Sequence, residues 1–172
     1  MLEVMLKMVD EYPNYQFVIG CAPSLPESFY KSIIDKENVH LLFNKTYPLL
    51  QVASAALVTS GTATLETALL YVPEVVCYKG NKISYLIAKN LIKVKYICLV
   101  NLIMDKPVIK ELIQNDLTPE NIKQELDLLL TNHAKQRAVL EDYDELRHVL
   151  GDAGASDNAA SIIVSDLKKD IR

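Results

Sequence analysis

The sequence contains no apolar run approaching the length of about 20 residues that a membrane-spanning helix needs. Its amino end also lacks the basic-then-apolar pattern of a secretory leader. Both absences lead us to expect a cytoplasmic protein. A charge excess is missing too: 18 basic against 22 acidic residues leave a formal net charge of −4. That balance argues against nucleic acid as the main partner, because binding a phosphate backbone favours a basic surface. Cysteine and histidine are scarce, with three of each. Cys21, Cys77 and Cys98 fall in or beside apolar runs without metal-ligand spacing, so they read as buried free thiols of a reducing compartment. His133 and His148 lie in a polar region at spacings unsuited to a metal, and His40 reads as a structural histidine at a strand start. We therefore expect no metal site and no cofactor. No internal repeat or low-complexity segment is visible.

What is present is an ordinary globular composition, 50% hydrophobic and 23% charged over 172 residues, enough for one domain spanning residues 1–172 with a sizeable core. The chain is organised around AALVTSGTATLETALLYVPEVVCY, residues 55–78. An apolar run from Ala55 to Val58 breaks at Thr59-Ser60-Gly61 and gives way to helix formers, and a second apolar run from Val75 to Tyr78 follows Pro73. This predicts a strand–helix–strand unit whose helix starts at the carboxyl edge of a parallel sheet, where open α/β folds bind ligands.

The residues at that edge suit a phosphate. Backbone N–H groups around Thr62, Ala63 and Thr64 have no partner within the helix, and the helix dipole adds partial positive charge. Gly61 permits close approach to the backbone, while the Ser60, Thr62 and Thr64 hydroxyls can donate or accept. Glu66 follows Thr62 by one helical turn on the same side. A carboxylate repels phosphate, so Glu66 is better suited to accepting hydrogen bonds from sugar hydroxyls. The set suggests a nucleoside diphosphate with its ribose. The plainer alternative is an N-cap at Ser60 or Thr62 with a solvated Glu66.

The stretch SGTATLETALLYVPEVVCY, followed by KVKYICLVNLI, resembles the carboxyl-terminal half of the lipid-A-disaccharide synthase family, glycosyltransferases of the GT-B architecture. The likeness runs from about Tyr15 to GASDNAASIIV near the carboxyl end. It implies a Rossmann-like parallel sheet flanked by helices, the C-terminal domain of a GT-B enzyme lacking its first strand. In the family that strand, a Gly-Ser-Arg loop and an amino-terminal acceptor domain precede the opening helix. We expect either a fragment of a longer protein or neighbouring strands closing the gap. The resemblance implies inverting transfer of diacylglucosamine from a UDP donor to diacylglucosamine 1-phosphate, a step of lipid A biosynthesis, with this chain binding the UDP moiety. No catalytic base is assigned here, and the chain alone is expected to be inactive. Two alternatives stay open: a non-catalytic UDP-sugar-binding subunit that needs a separate partner half, and another UDP-sugar enzyme of the same architecture, such as a UDP-N-acetylglucosaminyltransferase or an epimerase.

Along the rest of the chain, the residues predict a short helix before Pro13, a buried strand at 16–22, a helix within 23–36 bearing Phe29, Ile33 and Ile34, a strand at 39–43 and a short helix at 46–54. Residues 79–95 read as an amphipathic helix with Lys82, Lys89 and Lys93 on one face. Such a face covers a sheet with its lysines in solvent, or gives the protein a peripheral contact with the inner membrane. Tyr96 to Val100 is expected to be a buried strand with Asn101 at its carboxyl end, where it either faces ligand or makes an Asx turn or cap leading into the next helix. By resemblance Asn101 matches a family asparagine. Lys106 stands where the family has arginine, and Glu111 and Gln114 match a Glu-Leu-Leu-Gln element, all three being candidates for sugar or phosphate contact. Thr118-Pro119-Glu120 is a helix start, residues 134–150 read as a solvated helix, and 155–167 as a last helix that, by resemblance, crosses towards the missing domain.

Overall fold

Apolar runs broken by short polar stretches predict strands alternating with helices. The computed structural model has that order over the residues described, 1–34, 36–59, 61–80, 95–151 and 154–169. Two helical turns, α1 (Leu2–Met5) and α2 (Met8–Glu11), open the chain. They are followed by β1 (Phe17–Cys21), α3 (Glu27–Lys31), β2 (Val39–Phe43) and α4 (Thr46–Leu50). The central unit is β3 (Ala56–Val58), α5 (Thr62–Leu69) and β4 (Glu74–Tyr78). Then come α6 (Leu99–Met104), β5 (Lys110–Ile113), a 3-10 turn (Gln114–Asp116), α7 (Pro119–Thr131), α8 (His133–Leu150) and α9 (Ala155–Lys169). The amphipathic lysine helix expected at 79–95 lies almost wholly outside the described residues.

All strand pairing is parallel, as expected for an α/β fold with flanking helices. The strands form two sheets, β1-β2 and β3-β4-β5. Among the described residues no pairing joins β1 to β3, so neighbouring strands do not close the gap between them. This changes the expectation for β1. Instead of a fully buried strand, Val18 is 36% exposed and Cys21 is its buried residue, because β1 has a partner strand on one side only. In the larger sheet Ala56 lies opposite Glu74, and Val75 opposite Lys110. The carboxyl ends of the three strands, at Val58, Tyr78 and Ile113, therefore share one edge.

The core sits between this sheet and α5 to α8. Val75, Val76 and Cys77 of β4 are fully buried, and Ile122, Leu126 and Leu129 of α7 pack with them. Burying an aliphatic side chain contributes about 1.5–3 kcal/mol, so three at helical spacing suffice to dock α7. Its start follows the sequence: the Thr118 hydroxyl accepts from Asn121 N–H at 3.2 Å, with proline in the first turn. Helix α8 departs from the expectation of a solvated helix. Its charged face is in water, but Val139, Tyr143 and Leu146 enter the core. Helix α3 is shorter than expected and buries Tyr30, whose hydroxyl accepts from Ala22 N–H at 2.8 Å, while Phe29 is exposed.

Tyr96 to Val100 does not form a strand. Leu99 and Val100 begin α6, and Asn101 lies in its first turn. The cause is a carboxylate: Glu111 accepts from Ile97 N–H at 3.0 Å and from Cys98 N–H at 2.8 Å, and Cys98 Sγ accepts from Asn101 N–H. These bonds cap a helix start that an apolar run alone does not announce. The third strand of the larger sheet is instead β5, Lys-Glu-Leu-Ile, which the half-polar sequence concealed.

Candidate functional site

At the carboxyl end of β3 the chain turns at Gly61 into α5. Gly61 has φ 127° and ψ −158°, a region open in practice to glycine alone. A Cβ built there meets no atom within 4 Å, so the requirement for glycine is one of backbone conformation rather than space. The Gly61 carbonyl accepts from Thr64 N–H at 3.3 Å and from Thr64 Oγ1 at 2.8 Å. This fixes the turn and takes Thr64 out of the exposed set: it is fully buried and its hydroxyl is engaged. The expected ligand-facing hydroxyl at Thr64 is thus a brace. Thr62 and Ala63 are exposed, and their N–H groups make no hydrogen bond to the described residues. Ser60 lies outside the described residues. Glu66, one turn on, is half-buried and has no hydrogen bond or ion pair among them. An edge with two N–H groups, one hydroxyl and one carboxylate that have no partner among the described residues can hold an anion beside hydroxyl groups.

Helix α5 ends as firmly as it starts. Tyr71 N–H donates to Ala68 C=O at 2.9 Å and Val72 N–H to Thr67 C=O at 3.2 Å, with Tyr71 at φ 59°. This is the paired closure by which helices satisfy their last carbonyls. Val72 is buried beneath it, so the helix holds a fixed direction from the sheet edge.

The structure gathers a second group of expected contacts, but away from that edge. Asn101 is 1% exposed; its Oδ1 accepts from Ile109 N–H at 2.9 Å, and its Nδ2 donates to Ile109 C=O at 2.8 Å and to Glu111 Oε1 at 3.2 Å. Asn101 and Glu111 therefore clamp the β5 entry to the α6 start. They line a cleft of about 240 Å³ with Tyr96, Lys110, Glu125 and Lys135. Lys110 opens β5, so this cleft is at the opposite end of the strand from its carboxyl edge. A larger hollow of about 590 Å³ runs along α7 past Asp127 and His133 and includes none of the expected residues.

Lys106 is not a free cation. It bridges Asp142 at 2.8 Å and Glu145 at 2.5 Å on α8, and these carboxylates raise its pKa. Gln114 does reach the carboxyl edge, directly after β5, in a left-handed conformation at φ 55°. With its amide oriented so that each atom meets a complementary group, it donates to Gly80 C=O at 3.3 Å and accepts from Gly80 N–H at 3.2 Å. Sequence reasoning passed over Lys79 and Gly80, although Lys-Gly after an apolar run repeats the pattern of Ser-Gly after β3.

A family profile described as Lipid-A-disaccharide synthetase matches residues 1–163. The chain belongs to the lipid-A-disaccharide synthetase family. It is 40% identical over 176 residues to the lipid-A-disaccharide synthase of Syntrophus aciditrophicus (strain SB), covering 98% of this chain and 46% of that protein. Similarity to the synthase of Anaeromyxobacter dehalogenans (strain 2CP-C) is 34% over 158 residues, 90% of this chain and 41% of the relative. The synthase of Geobacter sulfurreducens is 30% identical over 172 residues, 99% of this chain and 45% of the relative. This member of the lipid-A-disaccharide synthetase family thus spans less than half the length of these synthases. Its homologues are named lipid-A-disaccharide synthases, and the parallel sheets with flanking helices accord with part of the C-terminal domain of a GT-B glycosyltransferase. Among the described residues no helix is long and apolar enough to cross a membrane.

Proposed function

We propose that this chain is the donor-binding part of a lipid-A-disaccharide synthase and holds the UDP moiety of a UDP-linked diacylglucosamine. The observation that carries the reading is the carboxyl edge of β3, where a glycine-only turn presents the exposed N–H groups of Thr62 and Ala63 one turn above Glu66, which has no partner among the described residues. In the reaction, the acceptor hydroxyl of diacylglucosamine 1-phosphate attacks the anomeric carbon. The carbon–oxygen bond to the diphosphate breaks with its electron pair leaving on UDP, and a base removes the hydroxyl proton. The chain's own contribution is electrostatic. Helix N-terminal amides stabilise the negative charge growing on the departing diphosphate, and Glu66 accepts from ribose hydroxyls. Gly61 and Thr64 shape the turn. Asn101 and Glu111 act from below as braces, and no residue of this chain is assigned as the base. The acceptor site and the base belong to the remainder of the relatives' length, in the same polypeptide or in a partner subunit. The site of action on this reading is the cytoplasmic side of the inner membrane.

Calorimetric titration of UDP into the wild-type chain and a Glu66→Ala variant tests the reading. The expected result is binding that weakens roughly tenfold in the variant, the loss of one or two hydrogen bonds to a charged acceptor. Equal affinity in both proteins would remove Glu66 from the site, and a folded chain that binds no UDP would contradict the reading itself.

A further inference from the structure

The described residues bring little positive charge to the proposed donor site. A helix N-terminus supplies about half an elementary charge, whereas a departing diphosphate gains a full negative charge beyond what it already carries. Lys106, the expected cation, is committed to Asp142 and Glu145, and Lys95 is tied to Asp105 at 2.9 Å. Lys110 stands at the amino end of β5, on the wrong side of the sheet. Among the described residues, one basic side chain follows directly on the carboxyl ends of β3, β4 and β5, and it is Lys79. It is exposed, and it forms no ion pair with a described carboxylate.

We propose that Lys79 is a diphosphate-binding cation of the donor site, and that Gln114 is the positioning residue that places it there by clasping Gly80. The proposal rests on the donor-site reading above. β3 and β4 are hydrogen-bonded neighbours up to Val58 opposite Val76, and Lys79 follows Val76 by three residues as Gly61 follows Val58, so both leave the sheet at the same edge. A lysine ammonium on its four-carbon stem meets phosphate as a point charge with three donors. Main-chain pairing between β4 and β5 ends at Tyr78 opposite Ile113. Beyond it the Gln114 amide takes over, bonding both main-chain groups of Gly80 at 3.2 and 3.3 Å. To do so Gln114 adopts φ 55°, a left-handed conformation costly for a residue with a Cβ. The chain leaving β4 is therefore held at the sheet edge by a side chain, and Lys79 is the residue between the last paired position and the clasp.

The test is titration of UDP, and separately of uridine, into wild type and the variants Lys79→Met, Lys79→Arg, Gln114→Ala and the Lys79→Met/Gln114→Ala double. Lys79→Met keeps the stem and removes the charge. It is expected to weaken UDP roughly tenfold, the range for one lost charge-assisted contact, and to leave uridine unchanged. Lys79→Arg retains most of the UDP affinity. Gln114→Ala weakens UDP selectively and speeds hydrogen exchange at the Gly80 amide, while the double variant binds UDP no more weakly than Lys79→Met, because a misplaced lysine and a missing one are equivalent. UDP affinity unaffected by Lys79→Met overturns the proposal and leaves the donor-site reading standing. Additive losses in the double variant overturn the positioning role of Gln114. A wild-type chain that binds no UDP brings down the donor-site reading and this proposal together.

Discussion

Glu74 should destabilise this protein, and by an amount the structure allows to be worked out. It opens β4 opposite Ala56, is 2% exposed, and neither carboxyl oxygen has a hydrogen-bond partner among the described residues. Burial pushes its pKa up from 4.5 to about 9. The folded state therefore keeps the proton while the unfolded chain releases it. Between those two values the unfolded state binds fewer protons, so stability falls as pH rises, by about 1.4 kcal/mol per pH unit. At pH 7 the group has lost about 3 kcal/mol relative to its stability below the unfolded pKa. Replacing Glu74 by methionine, similar in length and without charge, removes this term and leaves no buried acceptor unpaired. The expectation for Glu74→Met is a gain of about 3 kcal/mol in urea unfolding at pH 7. More telling is the pH profile. The gap between variant and wild type should widen by about 4 kcal/mol between pH 5.5 and 8.5, since the neighbouring Cys98 and Tyr143 titrate above that window, Cys98 at about 12. A gap that stays constant over those pH values would refute the reasoning, because it would show that Glu74 has the same charge in both states.

Gly61→Ala introduces no clash and forces a non-glycine residue to φ 127°, so its cost of about 1–3 kcal/mol is purely conformational and should appear as a lower thermal midpoint together with weaker UDP binding. Asn101→Ala strands the Ile109 N–H and C=O groups inside the protein; unfolding should show a loss of about 2–4 kcal/mol, whereas a residue serving only ligand contact would leave stability unchanged. Lys106→Met should leave UDP affinity unaltered in calorimetry, because the ammonium it removes is bound to Asp142 and Glu145. All three cysteines are buried, and burial raises Cys77 and Cys98 to about 12, so a thiol reagent at pH 8 should label none of them until the protein is unfolded.

The central unit was legible because local signals agreed there. Ala-Leu-Val, a Ser-Gly-Thr break and a run of helix formers permit one reading of the elements, whereas the positive φ of Gly61 is a feature the structure adds. The start of α7 was legible for the same reason, with Thr118 capping and Pro119 opening the helix. What escaped depended on partners distant in sequence. Tyr96 to Val100 satisfies a strand pattern and a buried helix start equally well, and Glu111, more than ten residues on, decides between them through its bonds to Ile97 and Cys98. Lys106 looked like a phosphate ligand until α8 placed Asp142 and Glu145 beside it. The core face of α8 was hidden by its charges, since Val139, Tyr143 and Leu146 are a narrow stripe in a highly charged helix. Of the candidate site, the α5 turn and Glu66 were readable from adjacent residues, and the Gln114–Gly80 clasp was not, because two strands had to be paired before it existed.

The most direct measurement is a map of backbone amide shifts in the labelled chain as UDP is added. If the chain binds its donor at the sheet edge, the first and largest changes fall on Gly61, Thr62, Ala63 and Gly80, with the Asn101 and Glu111 cleft unchanged. Shifts concentrated at that cleft, or spread without reference to the α5 turn, would contradict the account.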